Sequence, residues 1–168
     1  MFVSVICYIG IGSNLGDLSA NINLAITKIT SSPDVASFRV SRFFTSEPLT
    51  HGNDSQPWYL NAVLEIQTTW PLQALFTQLQ KIELDMGRKR RAKWEARVID
   101  LDILFYGTVI YDDTQLRIPH RGIPQRRFVL EPLCDLAPDF LHPEYQMTLS
   151  EILSSAADPL AVHPLEAL

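Results

Sequence analysis

Apolar and β-branched residues dominate positions 2–11, and this pattern predicts a buried strand. It runs into a Gly-Ser-Asn-Leu-Gly-Asp stretch, in which Asp17 is placed to cap a helix. In that helix Leu18, Ile22, Leu24, Ala25, Ile26 and Ile29 follow helical spacing, and Ser31, Ser32 and Pro33 stop it. Positions 35–44 alternate as a second strand. A polar stretch follows at 45–57, of the length at which a loop usually carries function. Positions 59–68 alternate as a third strand. Pro71 suits the first position of a second helix, whose apolar face is Leu72, Leu75, Phe76, Leu79, Ile82 and Met86 and which Gly87 ends. A fourth strand is predicted over 98–106, with a turn at Gly107. The chain then reads as irregular to Arg127, with helices at 129–136 and 149–155. Pro132 would have to sit in the first turn of the former.

The order strand, helix, strand, strand, helix, strand is the split βαβ arrangement of a ferredoxin-like α+β domain, an antiparallel-rich sheet covered by helices, here with additional C-terminal helices. A single domain is expected over residues 1–155, and residues 156–168, with Pro159 and Pro164, are expected to trail outside the core. At 46% hydrophobic and 20% charged residues, the 168-residue chain can bury a real core, which argues against disorder. Its apolar runs are far shorter than the roughly 18–20 residues that span a bilayer. No Lys or Arg precedes Lys28, so the amino-terminal run lacks the basic start of a signal peptide. Cys7 and Cys134 lie far apart in apolar runs, as core residues of a reducing cytoplasm do. These features predict a cytoplasmic protein without a membrane partner.

Charge changes the picture. The net charge of −5 argues against a generic nucleic-acid binder, yet residues 88–97 hold six basic side chains and one acid. A concentrated cationic segment on an acidic body suits a compact polyanion such as a nucleotide phosphate chain. Directly after it come Asp100 and Asp102, which strand periodicity puts on one face, opposite Ile99, Leu101 and Ile103. Carboxylates about 6–7 Å apart on a rigid strand repel unless a cation sits between them, and Mg²⁺ with phosphate oxygens fits. The alternative is a solvated acidic face. Gly10 and Gly12 have dinucleotide-loop spacing, but Leu15 stands where the third glycine belongs, and no Walker-type loop is present. Gln80 and Glu83 adjoin the apolar stripe of the second helix. His120 could donate to a phosphate and Arg126 could neutralise developing charge. Tyr59 and Asn61 share a strand face beside the Ser46–Leu49 stretch, and an aromatic ring with an amide suits a flat, hydrogen-bonding heterocycle. An RNA-binding module and a regulatory metal-binding domain are the rival readings. The strands lack the exposed aromatic pattern of the first, and the second would need neither the arginines nor the heterocycle pocket.

The ordered series of motifs resembles the 6-hydroxymethyl-7,8-dihydropterin pyrophosphokinases of folate synthesis. It comprises YIGIGSNLGD, S-x-P-L with Q-P-x-Y-L-N, QKIELDMGR, R-x-x-D-L-D-I at 97–103, P-H at 119–120 and R-x-F at 126–128. The resemblance implies transfer of the β,γ-diphosphate of ATP to 6-hydroxymethyl-7,8-dihydropterin, with release of AMP; a monomer with no nucleic-acid partner is expected. It implies two Mg²⁺ ions on Asp100 and Asp102, and catalytic roles for Arg88, Arg97, His120 and Arg126. It further implies an ATP site including Gln80, Glu83, Arg90, Trp94, Arg97, Ile103, His120 and Arg126. The pterin pocket would be Ser46, Pro48, Leu49, Tyr59, Asn61 and Phe128. The chain departs from the family pattern at Glu95 and is one residue short between Arg91 and Trp94; Glu47 and Arg121 are also unexpected there.

Overall fold

The computed structural model describes residues 4–49, 56–87 and 96–165. Its elements in chain order are β1 (Val5–Ser13), α1 (Leu18–Thr30), β2 (Val35–Val40), β3 (Phe44–Ser46), β4 (Tyr59–Thr68), α2 (Leu72–Asp85), β5 (Asp100–Tyr106), a β6–β7 hairpin (Tyr111–Asp112 and Arg117–Ile118), α3 (Arg127–Leu136), α4 (Leu149–Ser155) and β8 (Val162–Pro164). The main sheet runs β5-β1-β4-β3-β8, with β2 also on β4. Every pairing in it is antiparallel. This is the predicted α+β architecture with ferredoxin-like strand order.

Alternation along β1 divides two cores. Cys7, Ile9 and Ile11 face α1 and α2, packing with Ile22, Ile29, Leu75 and Leu79. On the other face Tyr8, Val63, Leu104 and Phe105 pack with Leu130 and Leu133 of α3 and Ile152 of α4. The added helices therefore cover the second side of the sheet. A bulge assists this. Ile103 pairs with Ile9 but Phe105 with Tyr8, so the extra residue sends Leu104 and Phe105 into the same cluster.

Where prediction and structure differ, a partner distant in sequence decides. The second strand is broken into β2 and β3, because Ser41 Oγ accepts from Val63 N at 2.9 Å and Arg42 N leaves the ladder to donate to Asp135 Oδ2 at 2.7 Å. Asp17 caps α1 as expected, accepting from Ala20 N at 3.0 Å. Pro71 is the residue before α2 rather than its first, and β5 starts at Asp100 rather than 98. The stretch read as irregular contains the β6–β7 hairpin. Pro132 lies past the first turn of α3, where it removes the N–H that would bond Phe128; the buried side chains of Val129, Leu130 and Leu133 hold the helix regardless. The residues expected to trail away instead contribute β8, an edge strand on β3.

Candidate active site

A cavity of about 290 Å³ opens over one end of the central strand β1. Its floor is the backbone of Gly10 and Gly12. Gly10 lies between Val63 on β4 and Asp102 on β5, and Gly12 between Asn61 and Asp100. These glycines sit inside a strand, and neither has a positive φ, so their value is the missing side chain. A Cβ on Gly12 would stand 3.3 Å from Asn61 Oδ1 and 3.7 Å from Tyr59 Cδ1, in the space the cavity occupies.

One wall carries charge. The Arg97 guanidinium donates from Nη1 to Asp100 Oδ1 at 2.8 Å. Burial opposes the arginine's charge, but Asp100, with Tyr59 and Asp102 adding to it, outweighs that and holds the pKa above its ordinary value. The backbone at Arg97 is pinned twice to Asn14: Arg97 N donates to Asn14 Oδ1 at 2.7 Å, and Asn14 N donates to Arg97 O at 3.1 Å. His120 is tethered to β5 by its N–H on Leu104 O. Its Nδ1 accepts from Gly122 N at 3.1 Å, which puts the imidazole proton on Nε2, and Nε2 lies 3.9 Å from Asp102 Oδ2. The Arg126 side chain folds over Gly122, where a Cβ would meet it at 2.9 Å, and its guanidinium lies 5.8 Å from the Phe128 ring centre.

The opposite wall is flat and mostly uncharged: Tyr59, Asn61, Ser46, Leu49 and Phe128 line it. Asn61 Nδ2 donates to Ser46 Oγ at 2.9 Å and to Phe44 O at 3.5 Å. A carbonyl only accepts, so the amide nitrogen must face Phe44. Oδ1 is then left over Gly12 as an acceptor directed at whatever fills the cavity.

The cavity brings together Ser46, Leu49, Tyr59, Asn61, Arg97, Asp100, Asp102, His120, Arg126 and Phe128, all singled out from sequence. Pro48 is half-buried and does not line it. Ile103 is 3% exposed in the core beneath α1 and α2, on the face away from Asp102. Glu83 is buried, and its Oε1 accepts from Leu101 N at 2.7 Å, so it anchors the start of β5. Gln80 is exposed on α2 and outside the cavity. Arg88, Arg90 and Trp94 lie outside the described residues. Glu47 and Gln56 also line the cavity. Gln56 belongs to the Q-P-x-Y-L-N run noted in the sequence, whereas Glu47 carried no signal beyond being unexpected. Among the described residues no group of three or more His, Cys, Asp or Glu could hold a metal. Two carboxylates beside arginines nonetheless match how Mg²⁺ is held, by one or two carboxylates plus the oxygens of a phosphorylated substrate.

Sheet, helices and cavity define an α+β protein built around an acid pair next to a sheltered pocket. A family model described as 7,8-dihydro-6-hydroxymethylpterin-pyrophosphokinase matches residues 8–138. The 2-amino-4-hydroxy-6-hydroxymethyldihydropteridine pyrophosphokinase of Haemophilus influenzae is 36% identical over 154 residues, covering 92% of this chain and 94% of that protein. Its namesake in Pseudomonas aeruginosa is 38% identical over 137 residues, 82% of this chain and 83% of that protein. The folic acid synthesis protein fol1 of Schizosaccharomyces pombe is 36% identical over 148 residues, which are 88% of this chain and 20% of that much longer one. In structure the chain resembles HPPK-DHPS of Plasmodium falciparum crystallised with pteroate, with a TM-score of 0.69. At 13% identity that likeness is one of fold, and it spans 90% of this chain and 42% of the other. The chain belongs to the 7,8-dihydro-6-hydroxymethylpterin-pyrophosphokinase family.

Proposed function

We infer that the chain transfers the β,γ-diphosphate of ATP to the hydroxymethyl oxygen of 6-hydroxymethyl-7,8-dihydropterin, releasing AMP, as a step of folate synthesis. The observation that carries this is the two-sided cavity: Asp100, Asp102, Arg97 and His120 on one side of the glycine floor, Asn61, Tyr59 and Phe128 on the other. The pterin lies against Tyr59 and Phe128, and Asn61 Oδ1 accepts from its N–H edge. The triphosphate lies along the charged wall, where Arg97 and Arg126 neutralise phosphate oxygens and His120 donates from Nε2. Asp100 and Asp102 would hold two Mg²⁺ ions, whose chemistry there would be to spread the charge of the phosphates. The hydroxymethyl oxygen forms a bond to the β-phosphorus and gives up its proton to water, the bond from that phosphorus to the α,β-bridging oxygen breaks, and AMP departs with that oxygen. Such transfer needs positioning and charge neutralisation more than covalent help from the protein, and these walls supply both.

Among the described residues no helix is long and apolar enough to cross a membrane. Action as a cytoplasmic monomer belongs to the same proposal. The test is incubation of the protein with ATP, Mg²⁺ and the hydroxymethyl dihydropterin. AMP and the pterin diphosphate should appear in equal amounts; ADP in place of AMP, or no pterin product, overturns the reading.

A further inference from the structure

Residues 158–165 follow a path with two attachments. At its start the Asp158 carboxylate accepts from Arg127 N at 2.9 Å through Oδ2 and from Leu160 N at 3.0 Å through Oδ1. Arg127 N is the first N–H of α3, which lacks a partner inside the helix, and it immediately follows Arg126 and precedes Phe128. The chain then runs to the end of β3. Glu47 N donates to Ala161 O at 3.1 Å, and Ala161 N donates back to Glu47 Oε2 at 2.9 Å. Val162, His163 and Pro164 pair with Ser46, Thr45 and Phe44. Leu165 N donates to Phe43 O at 2.7 Å, and the His163 ring stacks on Trp58 at 6.1 Å and 11°.

We propose that residues 158–165 form a strap that sets the width of the pterin side of the cavity by joining the start of α3 to β3, and that Asp158 and Glu47 are its positioning residues. β3 is three residues long and would otherwise be an edge strand with β4 as its one ladder partner among the described residues. It carries Ser46, which orients Asn61, and leads directly into Glu47, which lines the cavity. α3 carries Phe128 and Val129, which line the cavity with them. None of these bonds involves Arg97, Asp100, Asp102 or His120, and on the phosphate side only Arg126 adjoins one, at Arg127 N. This gives Glu47 a role, reciprocal pairing with Ala161, and predicts an effect confined to one substrate.

The inference rests on the pterin-transfer reading, so the full-length chain is assayed first; absence of AMP and pterin diphosphate there would overturn that reading and not the strap. Four variants follow: a chain ending at Ala157, Asp158→Ala, Glu47→Ala and Glu47→Gln. All are assayed well below their measured melting temperatures. Expected for the truncation, and to a lesser degree for Asp158→Ala and Glu47→Ala, is a pterin KM raised about tenfold or more, with ATP KM and kcat within about threefold. Glu47→Gln keeps a side-chain oxygen for Ala161 N and should stay near the parent value. If the truncated chain does not fold, the point variants alone decide. An unchanged pterin KM in Asp158→Ala and Glu47→Ala, or equal losses for both substrates, overturns the strap. A Glu47→Gln variant as impaired as Glu47→Ala would instead assign Glu47 to direct pterin contact and overturn its positioning role.

Discussion

Ser46 holds the amide of Asn61: Nδ2 donates to the serine Oγ at 2.9 Å, and the carbonyl oxygen is thereby left above the bare backbone of Gly12. Both side chains are buried, at 1% and 5% exposure, so neither finds a ready substitute in water. Ser46→Ala strands an amide N–H, a loss of about 1–3 kcal/mol, and lets the amide rotate. The expected outcome is a pterin KM raised about tenfold, roughly 1.4 kcal/mol, with kcat little changed. Ser46→Thr, which keeps the hydroxyl, should retain more of the pterin affinity. Steady-state kinetics with pterin varied at saturating ATP checks it.

Gly12→Ala and Gly10→Ala probe two points of the cavity floor whose neighbours differ. The new methyl at 12 faces Asn61 Oδ1 at 3.3 Å and the Tyr59 ring, so pterin binding should fall at least about tenfold while the melting temperature moves little. At position 10 the nearest atoms belong to the Leu104 side chain, at 3.3–3.4 Å. Leucine can shift, so the cost there is one of overpacking, on the order of 1 kcal/mol in stability. Calorimetric titration with pterin and thermal unfolding distinguish the two sites.

Asp100→Ala and Asp102→Ala should each lower turnover by at least about a hundredfold at saturating Mg²⁺. Folding should survive, since the Arg97–Asp100 pair is 29% and 27% exposed and such partly solvated pairs contribute about 0–1 kcal/mol. Near-normal turnover in either variant would remove the metal-binding assignment. Circular dichroism and single-turnover assays suffice.

His142 predicts a pH dependence of stability unconnected with catalysis. The ring is 1% exposed, lies 5.3 Å from Phe105 and accepts from Glu144 N through Nδ1. Burial lowers its pKa below the ordinary 6.5, against an opposing pull from Glu144. The folded pKa is the lower one, so below about pH 6.5 the unfolded chain binds a proton that the folded chain refuses. This contribution to stability is therefore complete above pH 6.5 and declines as pH falls toward the folded pKa. His142→Gln should flatten the denaturant midpoint against pH across that interval, and an unchanged slope would contradict it.

Much of this was legible because local chemistry decided it. Alternation marked β4 at its observed limits, the Asp17 cap and apolar stripe marked α1, and period two put Asp100 and Asp102 on one face. What escaped depended on partners far along the chain. Nothing near Arg42 signals that Asp135 will take its N–H and split a strand, and nothing near residue 162 signals a berth beside β3. The glycines of β1 showed only an incomplete dinucleotide-loop spacing, because their role is defined by Asn61 and Asp102, side chains on neighbouring strands. The tie from Glu83 to the start of β5 left no sign in the sequence, because its partner Leu101 N is a backbone group.

The walls of the cavity are assembled from segments that meet only late along the sequence. Ser13 reaches Val98 across 85 residues, Glu47 reaches Ala161 across 114, and Thr45 reaches His163 across 118. Loop-closure entropy must be met before such pairings return anything, which slows folding to the millisecond-to-second range typical of non-local sheets. A chain still emerging from a ribosome can form β1, α1 and the β4 pairing, yet has neither the acid pair nor the strand beside β3. Substrate binding thus becomes a readout of completed folding: in refolding experiments, pterin affinity should return with the slowest phase and not with the early gain of helical signal.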